Sequence, residues 1–301
     1  MMTATATAPL VLFYNRAFFG FGDPTKVDCG GRCEFTSDRR RIAQANAIVF
    51  HIPTLRGIPL PPKRPWQRWV AWSLESAVNY PELADPPFMR QFEITMTYRR
   101  DATVWWPYFE PDTAAALLRP PCPKTESSPL VYFRSSTVDR CGRTAYAAAL
   151  MRRVKVDSYG RVLHNRDLPA LDNGRETLLT VSARYKFTLV LENSLAEDYV
   201  SEKFFSALTS GSVPVYRGAP NIGDFAPAVR CFINAADFAA PAELAAYLNW
   251  LNEHDDPYRD YLGWKYTGLS ARFQTLVDSV RGEPLCRLCD YLRRTEPVNN
   301  H

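Results

Sequence analysis

The sequence has few of the features that mark a membrane-bound or secretory segment. Its 301 residues contain no uninterrupted run of about 18 or more apolar residues, the length that a membrane-spanning helix needs. The N-terminus shows no basic stretch followed by a long apolar stretch, the pattern typical of a secretory signal peptide. We therefore expect no membrane span in this chain.

A strong imbalance of charge is also absent. The formal net charge is +4 and the isoelectric point is near 8.6, and basic residues cluster only at Arg39-Arg40-Arg41. This excess is too small to indicate a nucleic-acid-binding protein, so we expect no nucleic-acid partner. It does suit a protein that neutralises a diphosphate.

Four of the seven cysteines form two close pairs, Cys29 with Cys33 and Cys286 with Cys289. Two such pairs are a common zinc site, but these lie near opposite ends of the chain and have no adjacent histidine, which disfavours zinc. The simpler interpretation is a local disulfide within each pair, or free thiols. Because seven is an odd number, at least one cysteine is unpaired within the monomer.

Short apolar segments alternate with segments of helical length, which indicates an α/β fold. Strands are predicted at residues 9–15, 47–51, 69–74 and 94–98, and again at 130–133, 154–156, 187–191 and 212–216. Helices are predicted at residues 36–44, 143–153, 201–210, 241–252 and 270–280. A segment rich in proline and polar residues, 118–129, is the best linker candidate. The pattern predicts two α/β domains with parallel sheets, at 1–122 and 123–301.

The densest polar pattern lies in segment 185–218. An apolar run at 187–191 predicts a buried strand, and a predicted helix begins near Ser201. Unpaired backbone N–H groups at a helix start favour a phosphate, and Lys203 adds a full positive charge there. Glu202 can accept hydrogen bonds from sugar hydroxyl groups. For an isolated Ser-Glu-Lys sequence, the alternative is a helix cap followed by solvated charges.

Several positions of this segment match a known signature at fixed spacings. They are Tyr185-Lys186-Phe187, Glu192-Asn193-Ser194, Asp198-Tyr199-Val200, Glu202-Lys203 and Val213-Pro214-Val215 with Gly218. On these residues the chain resembles the α1,3-fucosyltransferase family, glycosyltransferase family 10. The resemblance implies that GDP-fucose is held by Asn193, Tyr199, Glu202 and Lys203. Lys203 and Tyr199 would face the diphosphate, and Glu202 the ribose or fucose hydroxyl groups.

A second match lies upstream, where Arg143 opens a predicted helix just after a predicted strand. In the family, an arginine at this place contacts the diphosphate, and its planar guanidinium offers paired donors to phosphate oxygens. The alternative is a surface arginine at a helix start. The helix dipole slightly disfavours a cation there, which mildly supports the ligand-binding role.

A third match, Trp72-Ser73-Leu74-Glu75-Ser76, resembles the family segment whose glutamate lies at the acceptor site. By this match Glu75 is the candidate general base, the one catalytic residue that we predict. The alternative is an exposed glutamate at the edge of a strand, since glutamate is mostly a surface residue. His51, in a segment that ends at Arg56, is expected to face the cleft as well.

The resemblance also implies the reaction. The donor sugar is β-linked and the family's products are α-linked, so the anomeric centre inverts. A single displacement needs one carboxylate to take the acceptor's proton, and cations to stabilise the departing diphosphate. No Asp-x-Asp sequence occurs in the chain, so the common metal–diphosphate clamp is absent and we expect activity without a metal cofactor.

Taken with the two α/β halves, the resemblance implies a GT-B type fold, two Rossmann-like domains facing across a cleft. Residues 1–122 would bind the acceptor and 123–301 the GDP-fucose. The expected acceptor is a glycan that contains N-acetylglucosamine. Two alternatives remain open: an inactive homologue that binds a nucleotide sugar or glycan, and a GT-B transferase of another sugar.

The location of the protein is left open by the sequence. A cytoplasmic location is expected if the chain is full length, and the Golgi lumen if it has been trimmed of a membrane anchor. Cys286 and Cys289 are similar to a disulfide-bonded pair near the end of some family members, which implies an oxidising compartment.

Overall fold

The computed structural model of the chain describes residues 8–17, 22–109, 112–168 and 171–295. The chain divides into two compact units. Unit 1 comprises Met1–Pro107 and Val280–His301, and unit 2 comprises Tyr108–Ser279. The chain thus leaves unit 1 once and returns to it at its end. The assignment of acceptor binding to 1–122 and donor binding to 123–301 stays a prediction.

Each unit is built on one parallel sheet. In unit 1 the strands are β1 Leu10–Phe13, β2 Glu34–Thr36, β3 Ala47–His51, β4 Arg68–Ser73, β5 Ile94–Thr97 and β6 Val104–Trp105. In unit 2 they are β7 Leu130–Tyr132, β8 Val156–Ser158, β9 Phe187–Leu191, β10 Val213–Arg217 and β11 Ile233–Asn234. Every recorded strand pairing is parallel, which confirms the predicted α/β class.

The two sheets share one strand order. Unit 1 has the order β2-β1-β3-β4-β5-β6, and unit 2 has β8-β7-β9-β10-β11. In each sheet the first strand lies between the second and the third, so the direction of winding reverses beside it. Ligands of open α/β sheets bind outside the carboxyl ends of the strands at such a reversal. The places to search are therefore the ends of β1 and β3 and the ends of β7 and β9.

Helices connect and flank these strands. They are α1 Pro86–Met89, α2 Thr113–Leu117, α3 Arg143–Met151, α4 Arg175–Ser182, α5 Glu202–Thr209, α6 Pro241–Glu253, α7 Asp255–Asp260, α8 Trp264–Thr267, α9 Ala271–Asp278 and α10 Pro284–Thr295. Short 3-10 helices lie at Pro24–Lys26, Arg39–Gln44, Ile52–Thr54, Pro81–Ala84, Ile222–Phe225 and Ala235–Asp237. Across the described part of the chain, no helix has both the length and the apolar character to span a membrane.

The helix predicted over residues 36–44 is wrong in its first part. Thr36 ends β2 and pairs with Leu12 of β1, so this end of the segment is an edge strand. Only Arg39–Gln44 turns into a helix, and it is a 3-10 helix whose start is capped by the Asp38 carboxylate, which accepts a hydrogen bond from the Arg40 N–H. A strand of three residues is too short to show the alternation that identifies strands in a sequence.

The two close cysteine pairs are bonded to each other and not within themselves. The disulfides are Cys29–Cys286 and Cys33–Cys289, so the expectation of local disulfides is wrong. Cys286 and Cys289 lie one turn apart on α10, and both are buried among apolar residues of unit 1. Residues three apart share one face of a helix, which lets both thiols reach the segment that holds Cys29 and Cys33.

Candidate functional site

A cavity of about 190 Å³ lies in unit 2 at the carboxyl ends of β7 and β9, where the strand order reverses. Three basic side chains line it, and none of the described residues in its lining is acidic. Its polar wall includes Tyr132, Arg134, Ser136, Arg143 and Lys203. The cavity therefore has the position of a ligand site in an α/β sheet and the charge of an anion site.

Arg143 is the first residue of α3 and is only 3% exposed. Its Nη1 donates to the carbonyl oxygen of Leu191 at 3.0 Å, and its Nη2 donates to that of Val138 at 2.9 Å. Its buried Nε has no hydrogen-bond partner. Burial, together with the nearby charge of Arg134, lowers the pKa of the guanidinium, so a bound anion would relieve an unfavourable environment.

Lys203 lies in the first turn of α5 and is held between two carboxylates. Its Nζ donates to Glu202 Oε1 and to Ser201 Oγ, each at 3.0 Å, and lies 4.0 Å from Glu192 Oε2. Burial lowers the pKa of Lys203, but the charges of Glu202 and Glu192 outweigh it, so the net pKa is raised and the ammonium keeps its proton. The structure thus brings Arg143 and Lys203, which sequence reasoning predicted separately, to one cavity.

Glu192 is a carboxylate that sequence reasoning left without a role. It directly follows β9 and is fully buried. Its Oε1 accepts from the Ser201 N–H and its Oε2 from the Ser201 hydroxyl, each at 2.8 Å. Burial raises its pKa, and the Lys203 charge opposes that rise. Glu192 therefore ties the end of β9 to the start of α5, the point from which Lys203 projects.

Gly218 belongs to the same arrangement, because no side chain fits there. A Cβ atom at Gly218 would lie 2.5 Å from Glu192 Cγ and 2.2 Å from the Tyr216 hydroxyl oxygen. Both distances are far below van der Waals contact. The glycine of the matched segment is therefore required by the close approach of its backbone to Glu192.

The other three residues that were predicted to bind the donor substrate, GDP-fucose, differ in their exposure. Glu202 is exposed, and although burial opposes it, the Lys203 charge holds the pKa of its carboxyl below the usual value. Asn193 is half-buried and its Oδ1 accepts from the Ser194 hydroxyl at 3.2 Å. Tyr199 is only 2% exposed, and its ring packs edge-on against that of Tyr108 at 5.9 Å. Their contacts with a ligand stay predictions.

Arg134 is the lining residue that sequence reasoning missed. It follows β7 by two positions and is 6% exposed. Nothing in a sequence distinguishes a buried arginine in a polar loop from a solvated one, because arginine is mostly a surface residue. The only local signal is its position, just past the carboxyl end of the first strand of a predicted α/β unit.

Glu75 lies in unit 1, two residues past the end of β4. It is half-buried, and the Asn79 Nδ2 donates to its Oε2 at 3.4 Å. Its backbone N–H donates to the Ser73 hydroxyl, which in turn donates to the Glu75 carbonyl, each at 3.0 Å. This tight turn holds the carboxyl group at the carboxyl edge of the unit 1 sheet, the edge where ligands of such sheets bind.

His51 ends β3 and is buried beside Asn15, at the reversal point of unit 1. Asn15 Nδ2 donates to the His51 carbonyl at 2.8 Å and Asn15 Oδ1 accepts from the His51 N–H at 3.0 Å. Burial lowers the pKa of the His51 imidazole to about 4, so it is neutral at physiological pH. The expectation that His51 faces the cleft stays a prediction.

A metal centre was not expected. Among the described residues, no group of three or more His, Cys, Asp and Glu side chains is placed to hold a metal ion. The expectation of metal-free activity stays a prediction, to be tested by chelation.

Two sequence models of known families match the chain. The family described as "Glycosyltransferase family 10 (fucosyltransferase) C-term" matches residues 123–301, and the one described as "Fucosyltransferase, N-terminal" matches residues 6–109. The curated relatives include "GDP-fucose protein O-fucosyltransferase 3" of Gallus gallus, 35% identical over 256 residues, which are 78% of this chain and 53% of that protein. Its namesake in Canis lupus familiaris is 33% identical over 271 residues, 84% of this chain and 56% of that protein. The chain spans about half the length of the curated relatives it matches.

The fold is similar to that of a solved enzyme structure. A crystal structure described as "alpha1,3-Fucosyltransferase with GDP-fucose" superposes with a TM-score of 0.64 and covers 100% of this chain and 96% of that one. The two sequences are 15% identical, so the likeness concerns the fold alone. It confirms the predicted GT-B type fold class.

Proposed function

This chain belongs to glycosyltransferase family 10, the fucosyltransferases, and on that premise we propose that it transfers fucose from GDP-fucose to a hydroxyl group of an acceptor. The single observation that carries the proposal is the cavity beside β7 and β9, which holds Arg143 and Lys203. A leaving diphosphate gains negative charge as its bond to the sugar breaks. Cations that are already in place stabilise that charge at little cost of reorganisation.

In the proposed reaction the acceptor oxygen attacks C1 of fucose from the side opposite the diphosphate. The C1–O bond to phosphate breaks, and its electron pair leaves with GDP. Arg143 donates hydrogen bonds to the phosphate oxygens from its free N–H groups, and Lys203 supplies a point charge. Glu202, Asn193 and Tyr199 complete the proposed donor site, with Glu202 toward the sugar hydroxyl groups.

The acceptor's proton has to be removed as its oxygen attacks, and we assign this step to Glu75. The support is its matched segment and its place just past the carboxyl end of β4. A carboxylate within hydrogen-bond reach of the attacking hydroxyl contributes about 10²- to 10⁴-fold to the rate as a general base. The product is a glycoside of inverted configuration, because one displacement inverts the anomeric centre.

For the acceptor, we propose a hydroxyl group of a protein. The relatives that are 33–35% identical to this chain are named protein O-fucosyltransferases, whereas the solved α1,3-fucosyltransferase is 15% identical. The second candidate is an N-acetylglucosamine-containing glycan fucosylated in α1,3 linkage. It is favoured by the signature positions of segment 185–218, which resemble those of the α1,3-fucosyltransferases.

The test is GDP release and acceptor labelling from GDP-fucose, with a panel of unmodified folded protein domains in one arm and N-acetyllactosamine in the other. We expect labelled protein in the first arm, loss of labelling in the Glu75→Gln variant, and full labelling in Glu82→Gln, whose carboxyl is exposed in a 3-10 helix of unit 1. Labelling of lactosamine alone would favour the second candidate. GDP binding without labelling in either arm would identify an inactive homologue.

Two further arms address the remaining alternatives. GDP-mannose in place of GDP-fucose tests transfer of another sugar, and turnover of mannose alone would contradict the fucosyl proposal. EDTA tests the metal-free expectation: we expect unchanged turnover, and a loss that manganese restores would contradict it.

We also propose that the protein works in an oxidising compartment, the Golgi lumen of the sequence analysis. The support is the pair of disulfides in unit 1, since such bonds persist in oxidising surroundings. Thiol counting on denatured chain isolated from cells tests this, with three free thiols expected, those of Cys122, Cys141 and Cys231. Seven free thiols would contradict it.

A further inference from the structure

The cavity of unit 2 contains a second buried guanidinium that no matched motif includes. Arg134 uses three of its N–H groups within the chain. Its Nε donates to the Ser136 carbonyl at 2.9 Å, its Nη1 to Thr144 Oγ1 at 2.6 Å, and its Nη2 to the Val138 carbonyl at 3.3 Å. A guanidinium carries five N–H donors, so one on Nη1 and one on Nη2 remain.

The side chains of Arg134 and Arg143 converge. The Val138 carbonyl accepts from both, from Arg143 Nη2 at 2.9 Å and from Arg134 Nη2 at 3.3 Å. Two like charges on one acceptor, both more than nine-tenths buried, are costly unless an anion balances them. This juxtaposition indicates an anionic ligand.

The charges of two carboxylates act on the pair, that of Glu192 on Arg143 and that of Asp139 on Arg134, and the oxygens of both carboxylates are already engaged. Asp139 Oδ1 accepts from the Arg143 N–H at 2.7 Å, and Oδ2 accepts from the Thr144 N–H at 2.9 Å and from the Thr144 hydroxyl. Oδ2 is 3.9 Å from Arg134 Nη2. Asp139 therefore caps α3 and offsets one of the two positive charges.

The Tyr132 hydroxyl adds a neutral donor to the same wall. Tyr132 ends β7, is 2% exposed, and its hydroxyl has no hydrogen-bond partner. Burial raises its pKa, so the group keeps its proton at neutral pH. A buried polar group without a partner is unfavourable, and a ligand oxygen that accepts its hydrogen bond would remove that cost. The Arg143 Nε is buried without a partner at the same cavity.

We propose that Arg134 and the Tyr132 hydroxyl belong to the diphosphate site together with Arg143 and Lys203, with Arg134 beside Arg143. The inference rests on the proposed function, since it takes the diphosphate of GDP-fucose as the ligand. It adds two binding residues, and it assigns the departing charge to three cations instead of two.

The competing explanation is that Arg134 only positions Arg143. Its three hydrogen bonds reach residues 136–144, the loop from which Arg143 emerges, so its loss also disturbs that loop. The two roles differ in one respect. If Arg134 acts only through Arg143, substituting it should not change GDP affinity once Arg143 has been replaced. If Arg134 binds phosphate itself, substituting it should still lower GDP affinity in that background.

The experiment is calorimetric titration of the full chain with GDP and with guanosine, for the wild type, Arg134→Gln, Arg143→Gln and the double variant. We expect Arg134→Gln to weaken GDP binding roughly 10-fold or more, as for loss of a charge-assisted hydrogen bond, and to leave guanosine binding unchanged. The same loss is expected in the Arg143→Gln background. The matched control is Arg152→Gln, which removes an exposed arginine at the end of α3 and should bind GDP as the wild type does.

Tyr132→Phe keeps both guanidinium groups and the loop. It therefore tests the proposed diphosphate site if Arg134→Gln does not fold. We expect a loss of about 3-fold in GDP affinity from this single neutral hydrogen bond. Unchanged GDP affinity in Arg134→Gln, or in Tyr132→Phe, would overturn the inference, as would an Arg134→Gln effect that vanishes in the Arg143→Gln background. In those cases wild-type GDP binding still supports the proposed function. A wild type that does not bind GDP would contradict both.

Discussion

The two units have sheets of one strand order, but the reversal points of the two sheets carry different chemistry. In unit 2 the ends of β7 and β9 border a cavity with Arg134, Arg143 and Lys203. In unit 1 the ends of β1 and β3 are filled by Asn15 and His51, whose hydrogen bonds are made within the chain. The same topology creates a potential binding position in each sheet, and the side chains at that position determine what it can bind.

This difference predicts that the two units have separate functions, and mutations can test that prediction. Buried cations belong to unit 2, where a polyanionic donor is proposed, and the candidate base Glu75 belongs to unit 1. Changes in unit 2 should therefore act on GDP binding, and changes in unit 1 on turnover or on the stability of that unit.

The largest effect is expected from Glu75→Gln. Removing the base should lower kcat about 10²- to 10⁴-fold and leave GDP affinity unchanged, because the variant keeps the cavity of unit 2 intact. Steady-state kinetics and GDP titration measure the two quantities. If Glu75→Gln lost GDP affinity and kept its kcat, the proposed division between the units would be wrong. Glu82→Gln serves as the control.

We expect the disulfides to stabilise unit 1 and to leave GDP binding in unit 2 unaffected. The Cys29→Ser/Cys286→Ser double variant is expected to lower the free energy of unfolding of unit 1 by about 2–4 kcal/mol, because the bond ties α10 to the start of the unit. Tryptophan fluorescence during urea unfolding reports mainly on this unit, which holds five of the seven tryptophans, Trp66, Trp69, Trp72, Trp105 and Trp106.

The matched control for the disulfide is Cys122→Ser, which changes an exposed free thiol and should leave the urea midpoint in place. GDP affinity should be unchanged in both variants. A double variant as stable as the wild type would show that the crosslink does not stabilise unit 1.

Arg143→Gln tests the other unit. It is expected to weaken GDP binding and to raise the KM for GDP-fucose roughly 10- to 100-fold, since charge-assisted hydrogen bonds to phosphate are lost. Binding of guanosine should not change. Equal losses for guanosine and GDP would mean that the variant disturbs unit 2 as a whole, and would remove the support for a phosphate contact.

The last prediction concerns His51, whose effect on stability develops only as the pH falls. Its folded pKa of about 4 lies below its ordinary value of 6.5, so the unfolded chain takes up the proton first as the pH falls. The stability that the neutral imidazole contributes is full above pH 6.5 and is lost toward pH 4, by about 2–3 kcal/mol. Urea unfolding of His51→Gln should show a correspondingly flatter pH dependence. His254→Gln, exposed in unit 2, should keep the wild-type slope.

Much of the fold could be predicted from the sequence, because continuous apolar runs identify buried parallel strands. The predictions for 47–51 and 187–191 coincide with β3 and β9. The short edge strand β2 was missed, since three residues show no period. The disulfide partners were also missed, because pairing depends on which elements meet in three dimensions, and α10 returns to unit 1 from the far end of the chain.

The candidate site was predicted in part. Arg143 and Lys203 were found through the fixed spacings of a signature, and the structure places both at one cavity. Arg134 and Glu192 were not assigned, because their significance lies in burial and in hydrogen bonds that depend on how the folded loops bring nearby segments together. Only the folded chain shows that Glu192 joins β9 to α5, or that Arg134 shares a carbonyl with Arg143.

The central claim is that the cavity beside β7 and β9 holds the donor's diphosphate. The most direct test is a crystal structure of the full chain soaked with GDP. The account predicts diphosphate density within hydrogen-bond distance of the Arg143 guanidinium and the Lys203 ammonium. GDP bound elsewhere, with this cavity unoccupied, would contradict it.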